Sequence, residues 1–185
     1  MIYLFEGVRN SGKTFLSDHI KKTFKIPKFK FDFVEYFKGL NLSSENSRET
    51  HFFAIGKEMM IMQLSKDLQI NDFILDRGII TVFSWALLEK RITSEEVINQ
   101  IKLICDKNLL KNTCIIYIEG KNPNETPREK DTWDHLDFSE DEKKYCDFVI
   151  KEFEKNGLKI FYFSNAFKEK DVQNMESLFE QVLKK

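Results

Sequence analysis

Gly7-Val8-Arg9-Asn10-Ser11-Gly12-Lys13-Thr14 is the stretch whose reading decides the fold. A glycine, four residues and then Gly-Lys-Thr is the spacing of a loop that wraps phosphate. The residue types follow from that task. Glycines let the backbone turn until successive N–H groups face one anion. A helix opening near Lys13 adds the positive end of its dipole. Lys13 is long enough to reach the β- and γ-phosphates of a nucleoside triphosphate, and the Thr14 hydroxyl is a ligand suited to Mg²⁺. Gly7, Arg9, Asn10, Ser11, Gly12, Lys13 and Thr14 are therefore the expected nucleotide-binding residues. ATP and Mg²⁺ are the expected cofactors.

The flanking sequence supplies the context such a loop needs. Ile2 to Phe5 is a short apolar run, as a buried parallel strand would be. Lys13 to Phe24 carries Phe15, Leu16, Ile20 and Phe24 at helical spacing, and Pro27 ends that helix. Further on, Phe29, Phe31 and Phe33 alternate with Lys30 and Asp32 as a second strand, Leu40 to Arg48 reads as a loop, and Glu49 to Leu68 reads as a helix. Phe73 to Leu75 is a third strand, followed by a helix over Ile79–Lys90 and another opened by a Thr93/Ser94 cap with Glu96. Cys114 to Ile118 is a fourth strand and Leu158 to Phe163 a fifth. Helices over Phe138–Asn156, closed by Gly157, and Val172–Leu183 complete the pattern. Strands alternating with helices predict an α/β fold with a parallel sheet covered on both faces.

Composition bounds the rest. With 185 residues, of which 42% are hydrophobic and 32% charged, the chain reads as one globular domain over 1–185. The net charge of −1 is unlike that of proteins that neutralise long stretches of duplex DNA. Cys105, Cys114 and Cys146 form no zinc spacing and read as reduced thiols of a cytoplasmic protein. No run approaches the ~20 apolar residues that span a bilayer, so no membrane is expected as a partner.

Two further elements carry chemistry. Asp76-Arg77 ends the third strand, where doubly wound sheets bind ligands. Asp76 is the expected second metal ligand beside Thr14. Arg77 is expected to bridge transferring phosphates or to grip the acceptor. The plainer reading makes Asp76 a helix N-cap and Arg77 half of a surface ion pair. The polar stretch Glu119 to Asp137 contains Pro123 and Pro127 and has the length of a functional lid. Lys121, Arg128 and Lys130 lie in it, and Arg128 is the expected cation over the transferring phosphate. Its plainer reading is a solvated loop, since Glu125, Glu129 and Asp131 lie among them.

Phe5-Glu6-Gly7 leading into the loop, Asp76-Arg77 after the third strand and the polar lid resemble the thymidylate kinase and deoxynucleoside kinase family, in the same order over most of the chain. The resemblance implies the P-loop NTPase fold, with five parallel strands in the order 2-3-1-4-5. It implies transfer of the ATP γ-phosphate to a deoxynucleoside or its monophosphate, with Mg²⁺. It makes Phe53 and Lys57 the residues that stack on and read the acceptor base. It makes Asp32, or next Glu35, the carboxylate that orients or deprotonates the acceptor hydroxyl, and Asn165-Ala166 the loop against which adenine packs. It also implies a homodimer. The sequence departs from thymidylate kinases at Arg9, at Gly78 and at Lys57, where the family usually has an acid, an aromatic residue or serine, and an arginine. Lys57 gives up bidentate geometry. These departures bear on the acceptor and leave the phosphate machinery intact. A second reading is a kinase acting on a modified base inside DNA, similar to the phage 5-hydroxymethyluracil DNA kinases; the Lys-, Ile-, Asn- and Phe-rich composition fits an AT-rich phage source. A third is a nucleotide-binding switch with no acceptor.

Overall fold

The computed structural model describes residues 1–8, 10–30, 48–67, 72–120 and 139–184, with the side chains at 30, 48–50, 53, 64–66 and 139 left aside. Its elements run β1 (Ile2–Glu6), α1 (Lys13–Phe24), β2 (Lys28–Lys30), α2 (Arg48–Asp67), β3 (Phe73–Asp76), α3 (Ile79–Leu88), α4 (Ser94–Asp106), β4 (Thr113–Glu119), α5 (Ser139–Lys155), β5 (Ile160–Ser164) and α6 (Glu169–Leu183). The strands form one five-stranded sheet in the order β2-β3-β1-β4-β5, and every neighbouring pair is parallel. This is the expected architecture.

The pleat sends alternate side chains to opposite faces, and each face has its own core. Ile2 and Leu4 of β1, Phe73 and Leu75 of β3, and Ile115 and Tyr117 of β4 pack under α3, α4 and α5. Tyr3 and Phe5, Ile74, and Cys114, Ile116 and Ile118 pack under α1 and α6. β1 is buried along its whole length, as a central parallel strand must be. Its two neighbours fix the register: Phe5 lies opposite Asp76 on one side and Ile116 on the other. The strand tips therefore end at one level, beneath the loop at residues 7 to 12.

Element ends differ from expectation by one to three residues, for local reasons. β5 starts at Ile160 rather than Leu158. Lys25 takes a left-handed C-cap conformation directly after Phe24, so α1 ends before Pro27, and the Pro27 carbonyl accepts from Ile74 N at 2.8 Å instead. α6 starts at Glu169 because Asp171 caps the chain turn before it, accepting from Ala166 N and Lys168 N, each at 2.9 Å. The capping box of Thr93 and Glu96 forms as expected. β2 is described only over Lys28–Lys30, so the expected strand through Phe31 and Phe33 lies largely outside the described residues. Among the described residues, no helix is long and apolar enough to cross a membrane, and none of Cys105, Cys114 and Cys146 is in a disulfide.

Candidate active site

The loop between β1 and α1 adopts a backbone that its glycines make accessible. Gly7 has φ +148, and a Cβ there would stand 2.4 Å from the Ile118 carbonyl oxygen. Gly12 has φ +83, and a Cβ there would stand 2.3 Å from Asn165 Nδ2. Asn10 adopts φ +63, a conformation asparagine tolerates better than most residues. α1 then opens at Gly12 with no side-chain cap, so its first N–H groups are left for something else to satisfy. Ser11 is fully buried, and its Oγ has no hydrogen-bond partner among the described residues.

Lys13 is 3% exposed and donates to the Val8 carbonyl at 2.9 Å. Burial pushes its ammonium down to about 7, and nearby Arg77 pushes the same way; Glu142, Asp76 and Glu6 pull against them. Arg77 has φ +78, an unusual conformation for a non-glycine residue. Its N–H donates to Phe5 O at 3.0 Å. Its guanidinium lies 5.3 Å over the Trp85 ring, and Nη1 is buried with no hydrogen-bond partner among the described residues. Trp85 in turn donates its indole N–H to Glu142 at 3.2 Å. Two cations thus stand close together over the strand tips.

Glu6 and Asp76 end adjacent strands and face opposite sides of the sheet. Glu6 is fully buried and accepts from Ile80 N at 2.9 Å, Thr81 N at 3.3 Å and Thr81 Oγ1 at 2.6 Å. It therefore caps α3, whose own N-cap residue, Gly78, offers no side chain. Desolvation raises the Glu6 carboxyl from its ordinary range, and these hydrogen bonds oppose the rise. The N-cap alternative for Asp76 is thus excluded by geometry, since Glu6 fills that place. Asp76 is 1% exposed and lies 3.0 Å from the Lys28 ammonium. That contact supplies charge without hydrogen-bond geometry, and neither carboxylate oxygen has a hydrogen-bond partner among the described residues.

Asn165 is buried and serves the loop rather than open space. Its amide donates to Ser11 O at 2.8 Å and its Oδ1 accepts from Phe167 N at 3.0 Å. The Phe167 ring comes within 3.1 Å of the place a Gly12 Cβ would take. Thr14 is exposed at the start of α1. Lys57 is half-buried on α2, with its ammonium pushed down to about 8 by burial. The adjoining Glu58 is almost fully buried; burial, with Glu6 adding to it, pushes its carboxyl up to about 8. Phe53 lies on α2 but its side chain is not described, and Arg9, Asp32, Glu35, Lys121, Arg128 and Lys130 lie outside the described residues, as does nearly all of the lid at 119–137.

Solved structures of similar shape share this fold over nearly the whole chain. The thymidylate kinase from Candida albicans aligns with a TM-score of 0.62 at 16% identity, over 99% of this chain and 91% of that one. The deoxyadenosine kinase from M. mycoides, solved with bound dCTP, aligns at 0.60 and 14%, over 98% and 100%. The fold is that of the P-loop kinases. The YorR protein from Bacillus subtilis, solved in complex with phosphorylated GDP, aligns at 0.57 and 16%, over 100% and 97%. No family model matches the sequence, and no curated protein matches it. At these identities the likeness establishes the P-loop kinase fold, while the site rests on the residues above.

Proposed function

We propose that this chain is a magnesium-dependent phosphotransferase that moves the γ-phosphoryl group of ATP to a deoxynucleoside or deoxynucleoside monophosphate. The observation that carries the reading is the pair of cations at the strand tips. Lys13 is buried enough to lose much of its hold on a proton, and Arg77 keeps a buried N–H without a partner among the described residues. A buried cation and a half-buried one that repel each other call for an anion. A polyphosphate supplies it, and the unfilled helix N-terminus and the orphan Ser11 hydroxyl call for the same group.

The roles follow from placement. Gly7 and Gly12 keep side-chain atoms out of the loop so that its N–H groups reach the phosphates. Lys13 exchanges the Val8 carbonyl for phosphate oxygen. Thr14 and Asp76 would hold Mg²⁺, and the open carboxylate oxygens of Asp76 suit a hard cation. When bound, the ion would offset the negative charge of the phosphate oxygens as the bond from the γ-phosphorus to the β–γ bridging oxygen breaks. Arg77, close to Lys13, would grip the transferring group, and Arg128 would be the further cation over it. Phe53 and Lys57 would take the acceptor base, and Asp32 or Glu35 would receive the proton from an acceptor hydroxyl. Asn165 holds the adenine-side loop against the phosphate loop, and the Phe167 ring offers the base a face.

The test is γ-labelled ATP with a panel of deoxynucleosides, their monophosphates and oligonucleotides carrying modified bases. Transfer to a small acceptor, lost in folded Lys13→Ala, is the expected result. Activity confined to the oligonucleotides, weakening steeply with salt, would replace the small acceptor with a base in DNA. Nucleotide binding with no transfer to any acceptor would refute the enzyme.

A further inference from the structure

Lys28 opens β2 with its side chain only 5% exposed. Its ammonium lies 2.8 Å from Asp18 Oδ1, 3.3 Å from the Thr14 carbonyl oxygen and 3.0 Å from Asp76 Oδ2. It therefore touches both residues to which the proposed function gives the magnesium ion. A cation of the chain itself already stands at the metal-binding carboxylate.

A buried ion pair built for stability has its remaining lone pairs filled. This pair does not. An ionised carboxylate offers about four acceptor sites, yet neither Asp76 oxygen accepts a hydrogen bond among the described residues. Asp18, the other acidic partner of Lys28, is half exposed to solvent. The ammonium thus anchors outward on Asp18 and leans inward on one oxygen of Asp76, leaving the second oxygen open.

We propose that Lys28 is a positioning residue, a built-in counter-ion that holds Asp76 in place beside Thr14 while holding down the affinity of the site for free divalent cations. A magnesium ion reaching Asp76 alone meets the charge of Lys28 a few ångströms away. An ion arriving with a triphosphate brings enough negative charge to overcome that repulsion. Mg²⁺ gives up its water reluctantly and is usually held by one or two carboxylates together with substrate phosphates, so a site of this kind selects the metal–nucleotide complex over the bare ion. The inference rests on the reading of Thr14 and Asp76 as the metal site.

The experiment is a calorimetric titration of Mg²⁺ into the full chain without nucleotide, for wild type, Lys28→Met, Lys28→Gln and Lys28→Arg. Removing the charge should tighten Mg²⁺ binding at least about tenfold, while Lys28→Arg stays near wild type. Lys28→Met should also melt lower in EDTA and recover more of its melting temperature on addition of Mg²⁺ than wild type does. If Met at this position prevents folding, Gln keeps a polar head for Asp18 and the Thr14 carbonyl and carries the test. Equal or weaker Mg²⁺ binding in the uncharged variants overturns the proposal. Phosphoryl transfer by the wild type separates the two readings. Transfer with unchanged metal affinity in the variants removes the role of Lys28 and leaves the kinase standing; a tighter metal site in the variants without any transfer keeps Lys28 and removes the kinase.

Discussion

Glu6→Ala removes the acceptor of three donors at once. Ile80 N at 2.9 Å and Thr81 Oγ1 at 2.6 Å are strong contacts, and Thr81 N at 3.3 Å is a weak one. All three lie in the core, where each unsatisfied donor costs about 1–3 kcal/mol. Against this, burial disfavours the Glu6 carboxylate, and alanine removes that cost. The balance is a loss of about 3 kcal/mol. In a chain of this size that lowers the melting temperature by about 6–12 °C. Glu6→Gln behaves differently. Its amide oxygen keeps the Ile80 N–H, its NH₂ donates to a reoriented Thr81 hydroxyl, and only the weak contact is lost, for about 1 kcal/mol. Calorimetric melting and urea unfolding at pH 7 give both numbers. Because α3 follows directly on Asp76-Arg77, Glu6→Ala should also reduce phosphoryl transfer at temperatures where it remains folded. If Glu6→Ala melts within about 2 °C of wild type, or if Gln proves as damaging as Ala, the capping argument is wrong.

Glu58 sits at about 8 in the fold against 4.5 unperturbed, so between those values the folded chain holds a proton that the unfolded chain has released. Stability therefore falls as pH rises through that window, and Glu58→Gln should flatten the fall; identical pH slopes in urea unfolding at pH 5 and pH 8 would refute it. Lys13 at about 7 is largely neutral at pH 8 in the ligand-free chain. ATP binding should then take up a proton, read by calorimetry at pH 8 in buffers of different ionisation enthalpy, and an uptake of zero would contradict the burial argument. Gly12→Ala would drive a Cβ into the Asn165 amide and against the Phe167 ring at φ +83. ATP affinity should drop at least about tenfold while the fold survives; unchanged affinity would show that the two loops are not coupled.

What was legible in the sequence was what is local. Gly7 to Thr14 announced itself because the turn, the anion and the helix start all lie within eight residues. The Thr93–Glu96 box was visible for the same reason. Asp76-Arg77 was found from the strand that ends there. The missed residues act across the chain. Glu6 caps a helix 74 residues away, so its neighbours in sequence carry no sign of a cap. Lys28 sits in a Lys-Phe-Lys run that reads as a solvated strand edge, yet its side chain is buried against Asp76. Glu142 belongs to the acidic run Glu140-Asp141-Glu142, which looks like an ordinary first helical turn; only the fold turns it towards Trp85 and the charge of Lys13. Hydrophobic spacing reports which face of an element is buried, but not which buried polar group it meets.

The two carboxylates at the strand tips show how that second question is answered. Glu6 and Asp76 lie on adjacent parallel strands, with Phe5 in register with Asp76, and both are almost fully buried. By residue type and burial they are alike. The pleat separates them: β1 turns Glu6 towards α3, and β3 turns Asp76 towards α1. Glu6 finds three donors there and is saturated, so it has nothing left to offer a ligand. Asp76 finds one ammonium and, among the described residues, no hydrogen bond, in a place where an unsatisfied charge is costly. Structural and functional acids are thus distinguished by how many of their lone pairs the fold leaves unfilled. The same count sets Arg77 apart from an ordinary ion pair. Its guanidinium is stacked on Trp85 and held by a backbone in an unusual conformation, yet one buried N–H has no partner among the described residues. A cation and a carboxylate fixed so firmly, and incompletely satisfied among the described residues, are what the proposed phosphotransferase requires.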